Sequence, residues 1–529
     1  MISSNSAIEP KLPRDWKIWS ALFLLAAIAF LYAFIFVPPA TPIAGNGVGD
    51  NLTALAPALQ MYQGNGLIYR DNFEFVTPGV AVVNLAMFEL LGLKLWIPNL
   101  LALLLLLGQL WLGILVARKL MHPGLALLPG AIFLVGLYPY LYDPNHHWYS
   151  MLFGIAAVAV LIEKRTPLRI GIAGFLCGLS ASFHQTNGAG VALGLLVYFS
   201  WESRRRKSSW QSLVRKEALF VACILTAFLA VCGYFIWKAG PTQFFWSTVI
   251  WVLKYYPKQA DLDRFPGVFW TFFPKFTPFV PHYYIAITDW LFLFAFPFVI
   301  TLLFFAWYFR ASSKRPIEYW ERPMLVAIVS LFKLLSIASA PADTRMACCM
   351  MLPLILLGWF LDSKRKLART LIVILVLGTT LTAIRALAIK RPKPVATLSI
   401  SQSKLAFVDS YEYEETLWLM QHTRPLDYFF AAESCEQYFY LNLRNPTPLS
   451  FITNNGTTTS ELVASTISSL RQRQVQYIMW QPADLDVLPE WENPSDDHLG
   501  PLRMFIQAHY KRIRTFGNGY EIWERAALQ

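Results

Sequence analysis

A series of apolar runs long enough to cross a membrane constrains this chain more than any other feature. Such runs recur from the N-terminal region to about residue 390, and residues 96–117, 217–238 and 289–309 are clear examples. About 20 consecutive apolar residues form a helix that spans the ~30 Å hydrocarbon core of a bilayer. Hydrophobic residues make up 56% of the chain and charged residues only 15%. The sequence therefore predicts a polytopic membrane protein rather than a soluble one.

Short basic clusters separate the apolar runs. The chain of 529 residues has a formal net charge of +12, and much of its positive charge lies in clusters such as Arg204–Lys207 and Lys364–Lys366. Cytoplasmic loops of membrane proteins are enriched in Lys and Arg. The basic charge is thus explained by membrane orientation, and no nucleic-acid partner is expected.

Residues 78–92 decide which loops face the cytoplasm. This segment is short for a bilayer core and contains Asn84 and Glu89, so we interpret it as an interfacial helix that does not cross. Every short basic cluster then falls on the cytoplasmic side; if the segment crossed, the clusters would lie outside. This topology has about 11 transmembrane helices, at approximately 18–37, 96–117, 124–141, 148–162, 170–184, 187–200, 217–238, 289–309, 322–340, 346–361 and 370–389.

The predicted fold class is mainly α, with a small α/β domain at the C-terminus. Residues 1–17 form a cytoplasmic leader, and the run after it is too long for the core of a signal peptide. Residues 18–390 form the transmembrane domain, with external loops at 38–95 and 239–288. Residues 391–529 change to shorter segments that alternate between strand and helix patterns, such as "VQYIMW" and "LGPLRMFIQAHY". They are predicted to form an extracytoplasmic domain.

Polar residues that interrupt the external side are the candidates for chemistry. Asp50 precedes a helical segment and is either a helix cap or a functional acid. Asp143, before Pro144, is either a turn former or a second acid. Arg345, at an outer helix end, either pairs with Asp343 or binds a lipid phosphate.

Three histidines also lie on the predicted external side. His184 ends an apolar run and is either an interfacial structural residue or a ligand-binding one. His146 and His147 are adjacent in sequence. Their side chains are expected to diverge on a helix, so a shared metal ion is not expected.

Several motifs together resemble one superfamily. "GDNLTALAPALQMYQGNGLIYRD", followed by "TPG" and a short helix ending "LLG", resembles the first external loop of the GT-C glycosyltransferases, which use polyprenyl-phosphate sugars. The protein O-mannosyltransferase and aminoarabinose transferase branch is the most similar. "HQTNGAG", "TRMACCMMLP" and the external tail ending "YEIWER" also resemble family segments.

The resemblance implies an inverting glycosyltransferase at the outer membrane face. Asp50 would be the base that activates an acceptor hydroxyl on a glycan, lipid or protein. The donor would be a polyprenyl-phosphate-linked sugar. Six residues are candidates for contacting its phosphate or sugar, because of their charge, hydrogen-bonding groups or position in these motifs. They are Asp143, His146, His184, Arg345, Lys94 and Tyr69.

Cofactor use and location follow from the same comparison. The resemblance assigns no definite cofactor and leaves metal dependence open; a divalent cation (Mg or Mn) held by Asp143 is one way to meet the phosphate charge. A bacterial inner membrane is the expected location. The main alternative is a transporter or flippase of lipid-linked sugars, which would carry ionisable residues in mid-membrane. Here Lys333 is the main charge of that kind.

Overall fold

A computed structural model supplies the structure of the chain. It describes residues 17–27 in part, together with 36–37, 41–42, 50–137, 144–255, 287, 290–338, 342–363, 394–400, 403–432, 436–452, 458–485 and 497–526. Within these ranges the side chains of residues 36–37, 41–42, 50–54, 135, 343 and 483–484 lie outside the description.

The described residues before 364 are mostly helical. A first helix is described in part between residues 17 and 27, and a two-stranded ribbon follows it, β1 (Phe36–Val37) and β2 (Thr41–Pro42). The helices after the ribbon are α1 (Asp50–Tyr62), α2 (Gly79–Leu91), α3 (Ile97–Ala117), α4 (Leu128–Gly136), α5 (His146–Leu161), α6 (Pro167–Phe183), α7 (Gln185–Arg206), α8 (Trp210–Ala239), α9 (Pro241–Phe245), α10 (Trp251–Lys254), α11 (Phe296–Ala311), α12 (Ile317–Ser336), α13 (Asp343–Ala347) and α14 (Met351–Ser363). Two π-helical turns, Trp246–Ile250 and Leu291–Ala295, precede α10 and α11.

Three described helices are long and apolar enough to cross a membrane. They cover Ile97–Ala117, Trp210–Ala239 and Leu291–Lys314. Shorter apolar helices lie between them, which agrees with an integral membrane protein but leaves the number of 11 spans a prediction. Two predicted boundaries are wrong: β1 occupies Phe36–Val37, so the first helix ends earlier than predicted, and the predicted span 346–361 is divided between α13 and α14. The predicted span 370–389 lies outside the described residues.

Helix α2 corresponds to the segment predicted not to cross. Its 13 residues extend about 20 Å at 1.5 Å per residue, less than the ~30 Å bilayer core. Its first residue, Gly79, lies against the end of α6: a Cβ there would be 2.6 Å from the Ser182 carbonyl oxygen. The absence of a side chain thus lets the start of α2 approach the end of α6 closely.

Small residues also bring the long helices close together. A Cβ on Gly190 of α7 would lie 2.7 Å from the Ser336 Cβ and 2.9 Å from the Phe332 carbonyl oxygen of α12. Gly194, one turn further along α7, contacts Val329 in the same way. Small residues at helix interfaces allow this close approach in membranes. It fixes the C-terminal end of α12 beside the N-terminal end of α7.

A buried ion-pair network joins the opposite ends of the same helices. Arg165, before α6, contacts Glu202 of α7 and Glu321 of α12, each at 3.0 Å. Arg206 also pairs with Glu321. The basic clusters that end these helices therefore meet at one end of the bundle, while residues 146, 184 and 336 lie at the other end.

The tail contains a small sheet with helices, as predicted. Hairpin β3 (Ala396–Ile400) and β4 (Ser403–Phe407) precede it. The other elements of the tail are α15 (Ser410–His422), β5 (Phe429–Ala431), α16 (Glu436–Leu441), α17 (Ser460–Arg473), β6 (Tyr477–Trp480), α18 (Pro482–Leu485), α19 (Gly500–His509), β7 (Tyr510–Thr515) and β8 (Glu521–Arg525). The sheet has the order β5-β6-β8-β7, with β5 parallel to β6 and the other pairs antiparallel.

The tail packs directly on α1, α2 and the loop between them. The side-chain Nε2 of Gln63, just after α1, donates to Asn442 Oδ1 at 2.9 Å and to the Leu443 carbonyl oxygen at 3.0 Å. Arg444 donates back to the Gln63 carbonyl oxygen at 3.2 Å. Apolar residues of α1 and α2, such as Leu59 and Phe88, share one core with the tail. The helix that begins at Asp50 is therefore held by the C-terminal region.

Candidate functional site

Three imidazole rings meet at the end of the bundle opposite the ion-pair network. The rings of His146 and His184 are nearly parallel, and their centroids lie 4.8 Å apart. The centroid of the His147 ring lies 4.5 Å from that of His184. One nitrogen from each ring lies within 4.8 Å of the others. His147 is buried, whereas His146 and His184 are half-buried.

The prediction that His146 and His147 diverge is wrong. Their ring centroids are 4.1 Å apart, and both rings face His184. The two residues open α5, after the cap Asn145, whose side chain accepts from the His147 backbone N–H at 2.9 Å. No preceding helical turn restricts side-chain rotamers there, so adjacent residues can turn toward one partner.

His184 caps helix α7 with its ring. Its Nδ1 accepts a hydrogen bond from the Asn187 backbone N–H at 3.2 Å, and the Thr186 hydroxyl lies at the same distance. A backbone N–H can only donate, so Nδ1 carries no proton. The ring proton must then lie on Nε2. His184 therefore presents an N–H donor, rather than a lone pair, on its far side.

Asn187 connects the histidines to α12. Ser336 Oγ shares its proton between Asn187 Oδ1, at 3.2 Å, and the Lys333 carbonyl oxygen, at 2.7 Å. The Asn187 Nδ2 then faces His147 Nδ1 at 3.3 Å and donates to it. By the same reasoning the His147 proton lies on Nε2. That nitrogen is buried and has no hydrogen-bond partner among the described residues.

Two cations complete the cluster. Lys333 lies in the last turn of α12 and is only 3% exposed. Arg345 lies on the short helix α13. Both charges act on the His147 and His184 rings. The described part of the site is thus rich in hydrogen-bond donors and positive charge, which is the chemistry that binds an oxyanion.

The spacing of the three imidazoles alone would suit a metal ion, but their protons do not. A metal ligand nitrogen must offer a lone pair, and the cap on α7 places a proton on His184 Nε2. The positive charges of Lys333 and Arg345 further disfavour a dication at this point. The histidine trio does not fit a metal ion in this arrangement. Asp143, the predicted holder of Mg or Mn, lies outside the described residues.

The remaining predicted residues have different placements. Helix α1 begins at Asp50, but the side chain of Asp50 lies outside the description, so its roles as a helix cap or a base stay predictions. Lys94 is half-buried in the turn between α2 and α3, and no described contact joins it to the histidines. Tyr69 is buried against Phe235 and Phe244, and its hydroxyl donates to the Val76 carbonyl oxygen. Ligand-binding roles for Lys94 and Tyr69 stay predictions.

The loop between α1 and α2 reaches the cluster through Gln185, the residue after His184. Gln185 Nε2 donates to the Phe75 carbonyl oxygen at 2.8 Å and to the Thr248 carbonyl oxygen at 3.0 Å. Glu74 lies beside this contact, and its carboxylate accepts from two backbone N–H groups at 2.9 Å. Burial raises the pKa of Glu74 to about 7. The loop that follows α1 is thereby fastened next to His184.

Sequence reasoning missed His147, Asn187 and Lys333 as members of the site. His147 was set aside because adjacent helical residues normally diverge. For Lys333, the available signal was a lysine within an apolar run, which is rare in membrane helices and usually functional.

The comparisons with known proteins concern structure rather than sequence. No protein-family model matches the sequence, and no curated protein matches it significantly. ArnT from Cupriavidus metallidurans, solved with undecaprenyl phosphate, matches with a TM-score of 0.60 at 11% identity, covering 97% of this chain and 98% of that one. The oligosaccharyltransferase AglB from Archaeoglobus fulgidus, solved with an inhibitory peptide and a dolichol-phosphate, matches with a TM-score of 0.52 at 12% identity, covering 97% of this chain and 75% of that one. Both are GT-C glycosyltransferases. From its first described helix to its tail sheet, the chain shares the overall fold of these two solved structures.

Proposed function

We propose that the protein is an inverting glycosyltransferase that moves a sugar from a polyprenyl-phosphate donor to a hydroxyl group of a glycan, lipid or protein. The observation that carries this proposal is the donor-rich cluster of His184, His147, Lys333 and Arg345. It lies at one end of a GT-C fold, where the loop that follows Asp50 is also fastened. Both neighbours named above were solved with a polyprenyl phosphate.

The proposed roles follow from charge. Sugar transfer leaves a polyprenyl phosphate with negative charge on its oxygens, and preorganised donors stabilise such charge strongly. Arg345 and the Nε2–H of His184 supply donors of this kind, with His146 beside them. The carboxylate of Asp50 would take the acceptor proton while the acceptor oxygen attacks the anomeric carbon. The bond from that carbon to the phosphate oxygen breaks, and its electron pair leaves with the phosphate.

The proposed location is the outer face of a bacterial inner membrane. Arg165 and Arg206 lie at the bundle end opposite the histidines, and clusters of such residues normally face the cytoplasm. The histidine end and the tail that packs on α1 would then face outward. A lipid-borne donor in the outer leaflet could reach that end.

Release of the lipid carrier tests this function. Purified protein in detergent is incubated with an undecaprenyl-phosphate-linked sugar and an acceptor pool from the cell envelope, and free undecaprenyl phosphate is measured. The proposal expects carrier release that depends on both protein and acceptor. Movement of the intact lipid-linked sugar across vesicles without its cleavage would instead identify a transporter.

A further inference from the structure

The structure assigns Lys333 a direct role: its buried ammonium group binds the phosphate of the lipid carrier, together with the Nε2–H of His147. This inference rests on the proposed function and gives two residues of the donor-rich cluster a direct contact with the ligand. Neither residue is a candidate ligand contact in the sequence.

The ammonium of Lys333 lacks a described acceptor. Its Nζ is buried and has no hydrogen-bond partner, and among the described residues no ion pair includes it. A lysine inside an apolar helix bundle is costly unless an anion meets it. The His147 and His184 rings, on which the charge of Lys333 acts, carry Nε2–H donors and supply no anion. The anion must therefore come from a ligand or from a carboxylate outside the described residues.

The position of Lys333 is fixed by its backbone. Its carbonyl oxygen accepts from Ser336 Oγ at 2.7 Å and from Cys349 Sγ at 3.8 Å. Gly190 lets this turn of α12 lie against α7. The same Ser336 hydroxyl contacts Asn187, which orients His147. One small hydrogen-bonded network thus fixes Lys333 and His147 relative to each other.

A phosphate monoester fits this environment better than a carboxylate or a metal ion. It offers several acceptor oxygens and up to two negative charges, which can meet more than one donor at once. Lysine is a common phosphate ligand in proteins. The prenyl chain can remain in the membrane while the phosphate enters the bundle end.

The test measures binding of undecaprenyl phosphate to the full-length protein in detergent, without any sugar transfer. Lys333→Met should weaken binding by about tenfold or more, because it removes a charge-assisted contact. Lys333→Arg should retain most of the affinity. Lys238→Met is the matched control: Lys238 also lies in the last turn of an apolar helix, but it is exposed, so affinity should not change.

Thermal unfolding without ligand separates a binding role from a structural one. If the ammonium of Lys333 has no partner in the ligand-free protein, Lys333→Met removes an unpaired buried charge. The melting temperature of this variant should then equal or exceed that of the wild type. Undecaprenyl phosphate should stabilise the wild type more than this variant. A ligand-free Lys333→Met protein that melts well below the wild type would show an internal partner and overturn the inference.

The remaining outcomes are also distinct. Equal affinity of the wild type and Lys333→Met would overturn this inference and leave the glycosyltransferase proposal intact. Failure of the wild type to bind undecaprenyl phosphate would overturn both. Inorganic phosphate is the probe for a free anion: it should compete weakly because it lacks the prenyl chain, and stabilisation equal to that given by the lipid would overturn the assignment to a lipid carrier.

Discussion

At the residue scale, His184 combines two tasks in one ring. Nδ1 caps α7, and this hydrogen bond fixes the proton on Nε2. An imidazole held in one tautomer acts as a fixed donor, much as a backbone N–H does in an oxyanion site. The helix cap thereby sets the chemistry of the site.

Substitutions at His184 should separate these two tasks. Asparagine is a good N-cap but lacks the Nε2–H donor, so His184→Asn should keep the melting temperature and weaken undecaprenyl phosphate binding. His184→Ala should lose both, with a cap penalty of about 0.5–2 kcal/mol. Thermal unfolding and lipid binding of the two variants provide the check. Unchanged binding in His184→Asn would limit the residue to capping.

Sequence could predict part of this site. His184 and Arg345 interrupt apolar runs at helix ends, so both were predicted as candidates, and both lie in the cluster. The place of His147 in the cluster could not be predicted, because it depends on side-chain rotamers at a helix start. Hydrophobic periodicity gives no information about these rotamers. The place of Lys333 in the cluster could not be predicted either, because it depends on the contact between α12 and α7 at Gly190. That contact joins residues far apart in the chain.

At the element scale, the contact between α7 and α12 positions the site. Apolar run length predicted most of the long helices because burial in lipid requires it. It could not predict that residues 241–254 of the predicted loop 239–288 are helical, since their composition favours strand as much as helix. The exposed strand Tyr510–Thr515 was missed because it has little alternation. The hairpin β3–β4 was also missed, although Ala396–Ile400 alternates between apolar and polar residues.

A methyl group at Gly190 should disturb the site through the helix contact. Gly190→Ala would place a Cβ 2.7 Å from the Ser336 Cβ, so α12 must move away with Lys333. We expect a loss of about 1–3 kcal/mol in stability together with weaker lipid binding. Gly233 of α8 is the matched control, because a Cβ there meets nothing within 4 Å. Gly233→Ala should be neutral or gain up to about 1 kcal/mol; equal behaviour of both variants would contradict close packing at Gly190.

At the scale of the whole molecule, the tail is joined to the membrane domain through α1. The Gln63 and Arg444 contacts and the shared apolar core make the tail part of the support for the helix that begins at Asp50. The tail also holds buried carboxyl groups on α15. Burial, followed by the charge of Glu436, raises the pKa of Glu412 to about 8, and burial also raises that of Glu415 to about 7.

Tail stability should fall as pH rises. The ordinary pKa of glutamate is 4.5, so in the folded tail these groups hold their protons to higher pH than in the unfolded chain. Their contribution is complete below about pH 4.5 and is lost as pH rises through about 7 and 8. Thermal unfolding at pH 6 and pH 9 should show this loss, and Glu412→Gln should reduce it. Glu414→Gln, at an exposed neighbouring position, should not; an identical pH response in all three proteins would contradict the account.

The turnover of Asp50→Asn tests whether Asp50 is the base in sugar transfer. Asparagine can begin a helix about as well as aspartate, but it is not a useful base. In the carrier-release assay the account predicts a fall of roughly 10²-fold or more, with undecaprenyl phosphate affinity and melting temperature close to those of the wild type. Near-normal turnover of Asp50→Asn would contradict the proposed mechanism and limit Asp50 to the start of its helix.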